Sequence, residues 1–256
     1  MSKRPPTPAE VERQLRQESG FGCAACGNPI LDYHHIIPWE EREHFEPAHM
    51  IALCPTCHRE FGKRARNDQY RIKENPINIR KKRFNGHLYS NRTDQKFRLG
   101  GIRYEGVETA ISFAKIPIFG FRIHENQTKL NFLIPDHIFL HPEIEIVENN
   151  VNATKAGFWD ILFTTNYIKF RRKKGEIFLE IDLRGDEISV RGAIELFGEK
   201  YQFKNDGTEF PNGSSIGKNS VVGSPGGTGL GLGPENKRLI RPNYGMVDPK
   251  PFYVSQ

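Results

Sequence analysis

Five histidines and two cysteines fall within the 29 residues DYHHIIPWEEREHFEPAHMIALCPTCHRE, positions 32–60, of a chain that has nine histidines and four cysteines. The other two cysteines, Cys23 and Cys26, lie just upstream. Cys23-x2-Cys26 and Cys54-x2-Cys57 are matched knuckles, and four thiolates close a tetrahedral Zn2+ site that keeps no open position. A zinc bound this way is structural. Two redox pairs, or four buried thiols, would not explain the matched spacing. The 27 residues between the pairs exceed the commonest finger spacing, so an insert lies between the knuckles.

The histidines then need another purpose. His34 and His35 are adjacent in a run, DYHHIIP, whose Tyr, Ile pair and closing Pro read as extended chain. Neighbours on an extended chain point to opposite faces, so one can ligate a metal while the other does something else. His58 follows Cys57 at a helix start, and His49 lies nine residues before it. A neutral imidazole, with an unperturbed pKa of about 6.5, can take a proton from water near neutral pH. The plain alternative is a pair of satisfied structural histidines. His44, among the acidic residues of EEREHFEP, reads as a solvated loop residue. His87, His124, His137 and His141 match no motif.

CAAC, HHIIP and HMIALCPTCH, taken in order, resemble the zinc-knuckle branch of the HNH endonuclease family, over residues 21–66. The resemblance implies a ββα-metal module. It makes His34 the first ligand of a catalytic divalent ion, Mg2+ or another, His58 the second ligand, and His35 the general base. His49 stands where the family usually has Asn, a residue that braces the loop carrying the base, which makes this chain an HHH variant. The resemblance also implies DNA, in double-stranded form, as substrate, and products with 5′-phosphate and 3′-hydroxyl ends.

Net charge is +6, and the excess is local. Residues 63–83 hold nine basic side chains against Asp68 and Glu74, which suits a polyanion. Arg59, Lys63, Arg64, Arg66, Arg80, Lys81, Lys82 and Arg83 are the candidate phosphate contacts. A solvated basic linker is the bland reading of the same residues.

The elements that must position these groups follow. Residues 7–20 read as a helix, with Thr7 as N-cap, Pro8 in the first turn, Glu10 completing a capping box and Gly20 as terminator. Val11 and Leu15 give it one apolar stripe. Pro55 opens a second helix before Gly62. Residues 67–91 are polar and poorly periodic, a basic linker with at most a short helix. From residue 92 the texture turns to strands. EIFLEIDLRGDEISVRGAIELFG places Ile177, Leu179, Ile181 and Leu183 on one face, then Ile188, Val190 and Ile194 after a turn. FWDILFTTNYIKFRRKKG reads as one further strand. GSPGGTGLGLGP, six glycines in twelve residues, reads as loose tail.

The expectation is an α+β chain. Residues 1–66 form a zinc-stapled nuclease module, 67–91 a basic linker, 92–204 a β-rich antiparallel domain, and 205–256 a Gly/Pro-rich segment. No run reaches the ~20 apolar residues of a membrane helix, and the start of the chain has no apolar stretch after its basic residues, so a cytoplasmic protein with no membrane partner is expected. A small cutter with an attached β domain fits a controlled effector, in restriction or antiviral defence, and the β domain is the place for a regulatory ligand or a homo-oligomer contact. The rival expectation is a zinc-stapled module that binds nucleic acid without cutting it, and a third makes the β domain a ligand sensor.

Overall fold

The structure, a computed structural model, describes residues 5–94, 96–113, 116–136, 142–154, 157–196, 198–217, 220–223 and 227–232. Helix α1 (Ala9–Ser19) ends as expected, with Gly20 in the left-handed region at φ 71°. Its start is one residue later than the sequence suggests. Pro8 holds an extended backbone at the N-cap, so Thr7 lies too far upstream, and no side chain caps the helix. Leu15 is buried with Met50 and Ala52, and Val11 packs beside them, which is the apolar stripe at work.

Strand β1 (Asp32–His35) pairs antiparallel with β2 (Met50–Leu53), placing Asp32 opposite Leu53 and His35 opposite Met50. Helix α2 (Pro55–Phe61) starts at Cys54, whose Sγ accepts the Cys57 N–H at 3.4 Å. The two strands and α2 are the ββα unit. Its core is small: Cys23, Ala24, Ile36, Ile51, Leu53, Cys54 and Phe61 are buried together.

The segment expected to be a linker is ordered. It forms α3 (Arg66–Glu74), α4 (Ile77–Lys81) and β3 (Arg83–His87), with Pro76 starting the second helix. Its few uncharged side chains do the anchoring: Tyr70 and Ile72 pack on the module core, and Gln69 and Asn78 are buried. Such isolated anchors in a basic stretch give no clear hydrophobic period, which is why the sequence reads as linker.

Strand β3 leaves the module and becomes the edge of a seven-stranded sheet, next to Asn150–Thr154. A second, larger sheet includes Asp160–Thr164, Tyr167–Lys173, Glu176–Asp182 and Ile188–Leu196 in antiparallel sequence. The run read as one strand is therefore two, turning between Thr164 and Tyr167. Ile181, Ile188, Val190 and Ile194 are buried as the alternation requires. One core joins both sheets through aromatic contacts such as Phe97 on Phe121 and Phe119 edge-on to Phe203. The described part of the Gly-rich segment also belongs to the fold. Val221–Gly223 lies parallel to Ile102–Glu105, and Thr228–Leu232 parallel to Thr109–Phe113. Gly229 is required there, because a Cβ would sit 2.7 Å from the Tyr104 ring. Residues 233–256 lie outside the described residues.

Helix α1 joins the two regions. Arg16 donates from Nε and Nη2 to the two oxygens of Asp160, at 3.0 Å each, and from Nη1 to the Tyr33 hydroxyl at 2.8 Å. Phe21, at φ 63°, is buried in the core of the β-rich region.

Candidate active site and metal centre

The four cysteines arrive from two directions. Cys23 and Cys26 stand on the turn after α1; Cys54 and Cys57 stand at the end of β2 and in the first turn of α2. Their sulfurs all lie within 4.8 Å of one another, with Cys26 Sγ 3.6 Å from Cys54 Sγ. A tetrahedral zinc with bonds of about 2.3 Å separates its sulfurs by about 3.8 Å, so the cluster fits that ion. It is the only group of three or more Cys, His, Asp or Glu ligands suited to a metal among the described residues. Burial pushes the Cys26 thiol up to about 11 and raises Cys57 as well. Burial also opposes ionisation of Cys54, but hydrogen bonds from the Cys57 N–H and the neighbouring thiols outweigh it and lower that thiol. Without metal, four crowded sulfurs cannot all ionise; a dication removes the conflict.

β1 sends His34 and His35 to opposite sides, as an extended chain must. His34 faces α2: its ring lies 5.1 Å from that of His58 and 5.7 Å from Phe61. Both metal-ligand candidates therefore share one side of the unit. Each has one nitrogen fixed. Gln69 donates from Nε2 to the Arg64 carbonyl at 3.0 Å, so its Oε1, 3.1 Å from His34 Nε2, accepts, and that nitrogen carries the hydrogen. In the neutral ring Nδ1 then carries the lone pair. His58 Nδ1 lies 3.2 Å from Asp32 Oδ2, which leaves the lone pair of that neutral ring on Nε2. Histidines that hold metals are oriented by such carboxylate and carbonyl partners, so the pair fits a divalent ion.

His35 is buried, at 6% exposure, against Trp39, His44 and Phe45. Its Nε2 donates to the His44 carbonyl at 2.9 Å, which makes Nδ1 the basic nitrogen of the neutral ring. His49 Nδ1 lies 2.7 Å from the Tyr70 hydroxyl, and its ring is 6.1 Å from that of His44.

Four residues at the site were not found from sequence. His44, read as a solvated loop residue, is buried: Nε2 donates to the Ile37 carbonyl at 3.0 Å and Nδ1 accepts the Glu46 N–H at 3.2 Å. Its only signal was the Phe beside it. Asp32, Gln69 and Tyr70 orient His58, His34 and His49. Gln69 and Tyr70 stand out in hindsight as adjacent uncharged residues in a basic stretch.

The candidate phosphate contacts fall into two sets. Arg59 is on α2, Lys63 and Arg64 follow it, and all three are exposed with no carboxylate partner among the described residues. Arg66 is different, because it opens α3 and is engaged by Glu41 at 2.6 Å. Arg80, Lys81, Lys82 and Arg83 make a separate exposed group at the junction of α4 and β3.

Residues 23–64 match the HNH endonuclease family. Over 63 residues the chain is 30% identical to Anaredoxin from Nostoc sp., a match that covers 24% of this chain and 83% of that protein. No solved structure matches. The chain belongs to the HNH endonuclease family through this N-terminal, zinc-knuckle module. HNH endonucleases act on nucleic acid with a divalent metal. No helix among the described residues is long and apolar enough to cross a membrane.

Proposed function

We propose that this chain is a metal-dependent endonuclease that hydrolyses phosphodiester bonds in double-stranded DNA. The observation that carries the reading is the division of labour at β1: His34 joins His58 on one side, with Gln69 and Asp32 behind them, while His35 is fixed on the other by a carbonyl. His35 accepts the proton of the attacking water at Nδ1. The His44 carbonyl holds its ring in place and favours the imidazolium that forms. His34 and His58 hold the divalent ion, which when bound stabilises charge on the phosphate and the departing oxygen. The four cysteines hold the structural zinc. Arg59, Lys63 and Arg64 hold phosphates beside the site, and His49, with Tyr70, braces the loop behind His35.

One observation favours a second reading. His35 is more shielded than a base working on solvent water needs to be, which suits a module that binds nucleic acid without cutting. A plasmid-nicking assay with Mg2+, Mn2+ or Ni2+, with and without chelator, separates the two. His35→Ala is expected to retain metal and DNA binding and to lose ~10²–10⁴-fold in rate. His34→Ala and His58→Ala should shift activity to higher metal concentration. His49→Asn should remain active, and His49→Ala should be moderately impaired. Cutting by His35→Ala at the parent rate would remove His35 as the base and favour the binding module.

A further inference from the structure

Beyond the cutting module, β3 carries an unusual outward face. Phe84 and Leu88 are fully buried, so alternation turns Arg83, Asn85, His87 and Tyr89 away from the core. The neighbouring strand sets Asn150 opposite His87 and Asn152 opposite Asn85. Tyr89 is 62% exposed, the highest value for a large apolar side chain among the described residues. Its backbone is nevertheless fixed, with its N–H donating to the Thr165 carbonyl at 2.7 Å. The His87 ring lies 4.6 Å from the Tyr89 ring, edge-on, and is itself held by Asn150 Oδ1 at 2.8 Å. A depression of about 370 Å³ lies at the other end of this face, with Arg83, Asn152, Thr154 and Glu145 on its wall.

A single exposed aromatic is ordinary. This one continues a line that begins with Arg80, Lys81, Lys82 and Arg83, all exposed and none within an ion pair among the described residues. Against those four cations the wall of the depression brings one carboxylate, Glu145. Cations followed by a rigid aromatic platform and amide side chains are what an unpaired nucleic-acid strand needs. The cations follow its phosphates, and the aromatic ring stacks a base that duplex pairing would hide.

We propose that the β3 face is a second nucleic-acid contact that takes a single DNA strand, with phosphates on residues 80–83 and a base on Tyr89. The proposal rests on the nucleic-acid reading above, and it assigns the β-rich region a part in substrate binding. The test is fluorescence anisotropy with a labelled single-stranded oligonucleotide and a duplex of the same length, using the full chain with His35→Ala so that nothing is cut. Adding Tyr89→Ala should weaken single-strand binding about tenfold, within the range of one lost stacking contact, and leave the salt dependence and duplex binding unchanged. Tyr89→Phe should restore it. Replacing residues 80–83 by serine should reduce the single-strand salt slope by about 3, since each phosphate contact contributes about 0.7. Single-strand binding that is unchanged in both variants overturns the proposal, as does a loss that falls equally on duplex and single strand. The nuclease reading fails separately: if the parent chain binds DNA but never cuts it, that reading is lost and the β3 contact stands.

Discussion

The N-terminal module buries two small apolar clusters, one of which includes two of its own candidate zinc ligands, whereas the β-rich region buries one core that runs through both of its sheets. The second region has enough apolar surface to fold on it. The first buries far less, and zinc on its four cysteines would supply what its apolar clusters do not. The difference also sorts the chemistry. The histidines stand in the smaller part, on a strand whose partner β2 runs directly into Cys54.

The largest break is at the metal. Binding energy for a structural zinc, about 10–16 kcal/mol in small knuckles, is folding energy for the module. Cys54→Ser should therefore unfold the module and leave the β-rich region cooperatively folded. Near-UV circular dichroism reads this through Trp39, which packs on His35 and Phe45, whereas Trp159, stacked under Arg13 of α1, reports the junction of the two regions. The sign of the pH effect follows from the thiols. Burial raises Cys26 to about 11 and raises Cys57, so the metal-free site holds protons there at neutral pH. Zinc must displace them; its uptake should release protons, and its affinity should fall as pH drops. Calorimetry in two buffers of different ionisation enthalpy measures the release. A module that stays folded without zinc would erase the contrast between the two regions.

The next break is the strut between them. Arg16 and Asp160 are 7% and 2% exposed, so the pair is buried. Removing one partner of a buried pair costs up to about 3–5 kcal/mol, and Arg171, whose Nη1 lies 3.7 Å from Asp160 Oδ2, offsets part of that for Asp160. Arg16→Ala should lower the melting temperature by that measure and separate the unfolding of the two regions in a calorimetric scan. Tyr33→Phe removes only one hydrogen bond to a charged group and should cost about 1.5–3 kcal/mol. Because Tyr33 precedes His34 on β1, both variants also ask whether the β-rich region sets the position of the histidines. An additive response with no change in metal affinity at the histidine pair would limit the strut to stability.

What could be read in the sequence is what local chemistry dictates. The two knuckles, the opposed histidines of β1, the Pro55 helix start and the alternation at Ile181, Ile188, Val190 and Ile194 each follow from spacing over a few residues. What was missed depends on distant partners. Asp32 meets His58 across 26 positions, Gln69 meets His34 across 35, and Arg16 meets Asp160 across 144. No local period marks such residues. The helices of the basic segment, and the strands within the described part of the Gly-rich one, went unread for the same reason. Polar and Gly-rich composition describes a segment's own preferences, and here a few buried side chains, or an edge open for pairing, override them.

The smallest effect tests how the first knuckle is tied to α4. Asn78 is buried and donates to the Gly20 carbonyl at 3.2 Å and, more weakly, toward that of Gly27 at 3.5 Å. The glycines flanking the knuckle make room for it: a Cβ on Gly27 would lie 2.6 Å from Asn78 Oδ1, and one on Gly22 would lie 2.5 Å from Asn78 Nδ2. Asn78→Ala leaves buried carbonyls without a donor and should cost about 1–2 kcal/mol. Gly27→Ala adds the clash to the strain of a side chain at φ 85°, itself about 1–2 kcal/mol. In the double variant the clash with the Asn78 amide is gone, while the backbone strain, the lost hydrogen bonds and a 3.2 Å approach to Ile77 Cγ2 remain. The two changes should therefore destabilise less together than their sum, by at least 0.5 kcal/mol in a double-mutant cycle. Strict additivity would mean that Asn78 and the knuckle do not sense each other, and that α4 connects the regions in sequence without carrying the state of the metal site to β3.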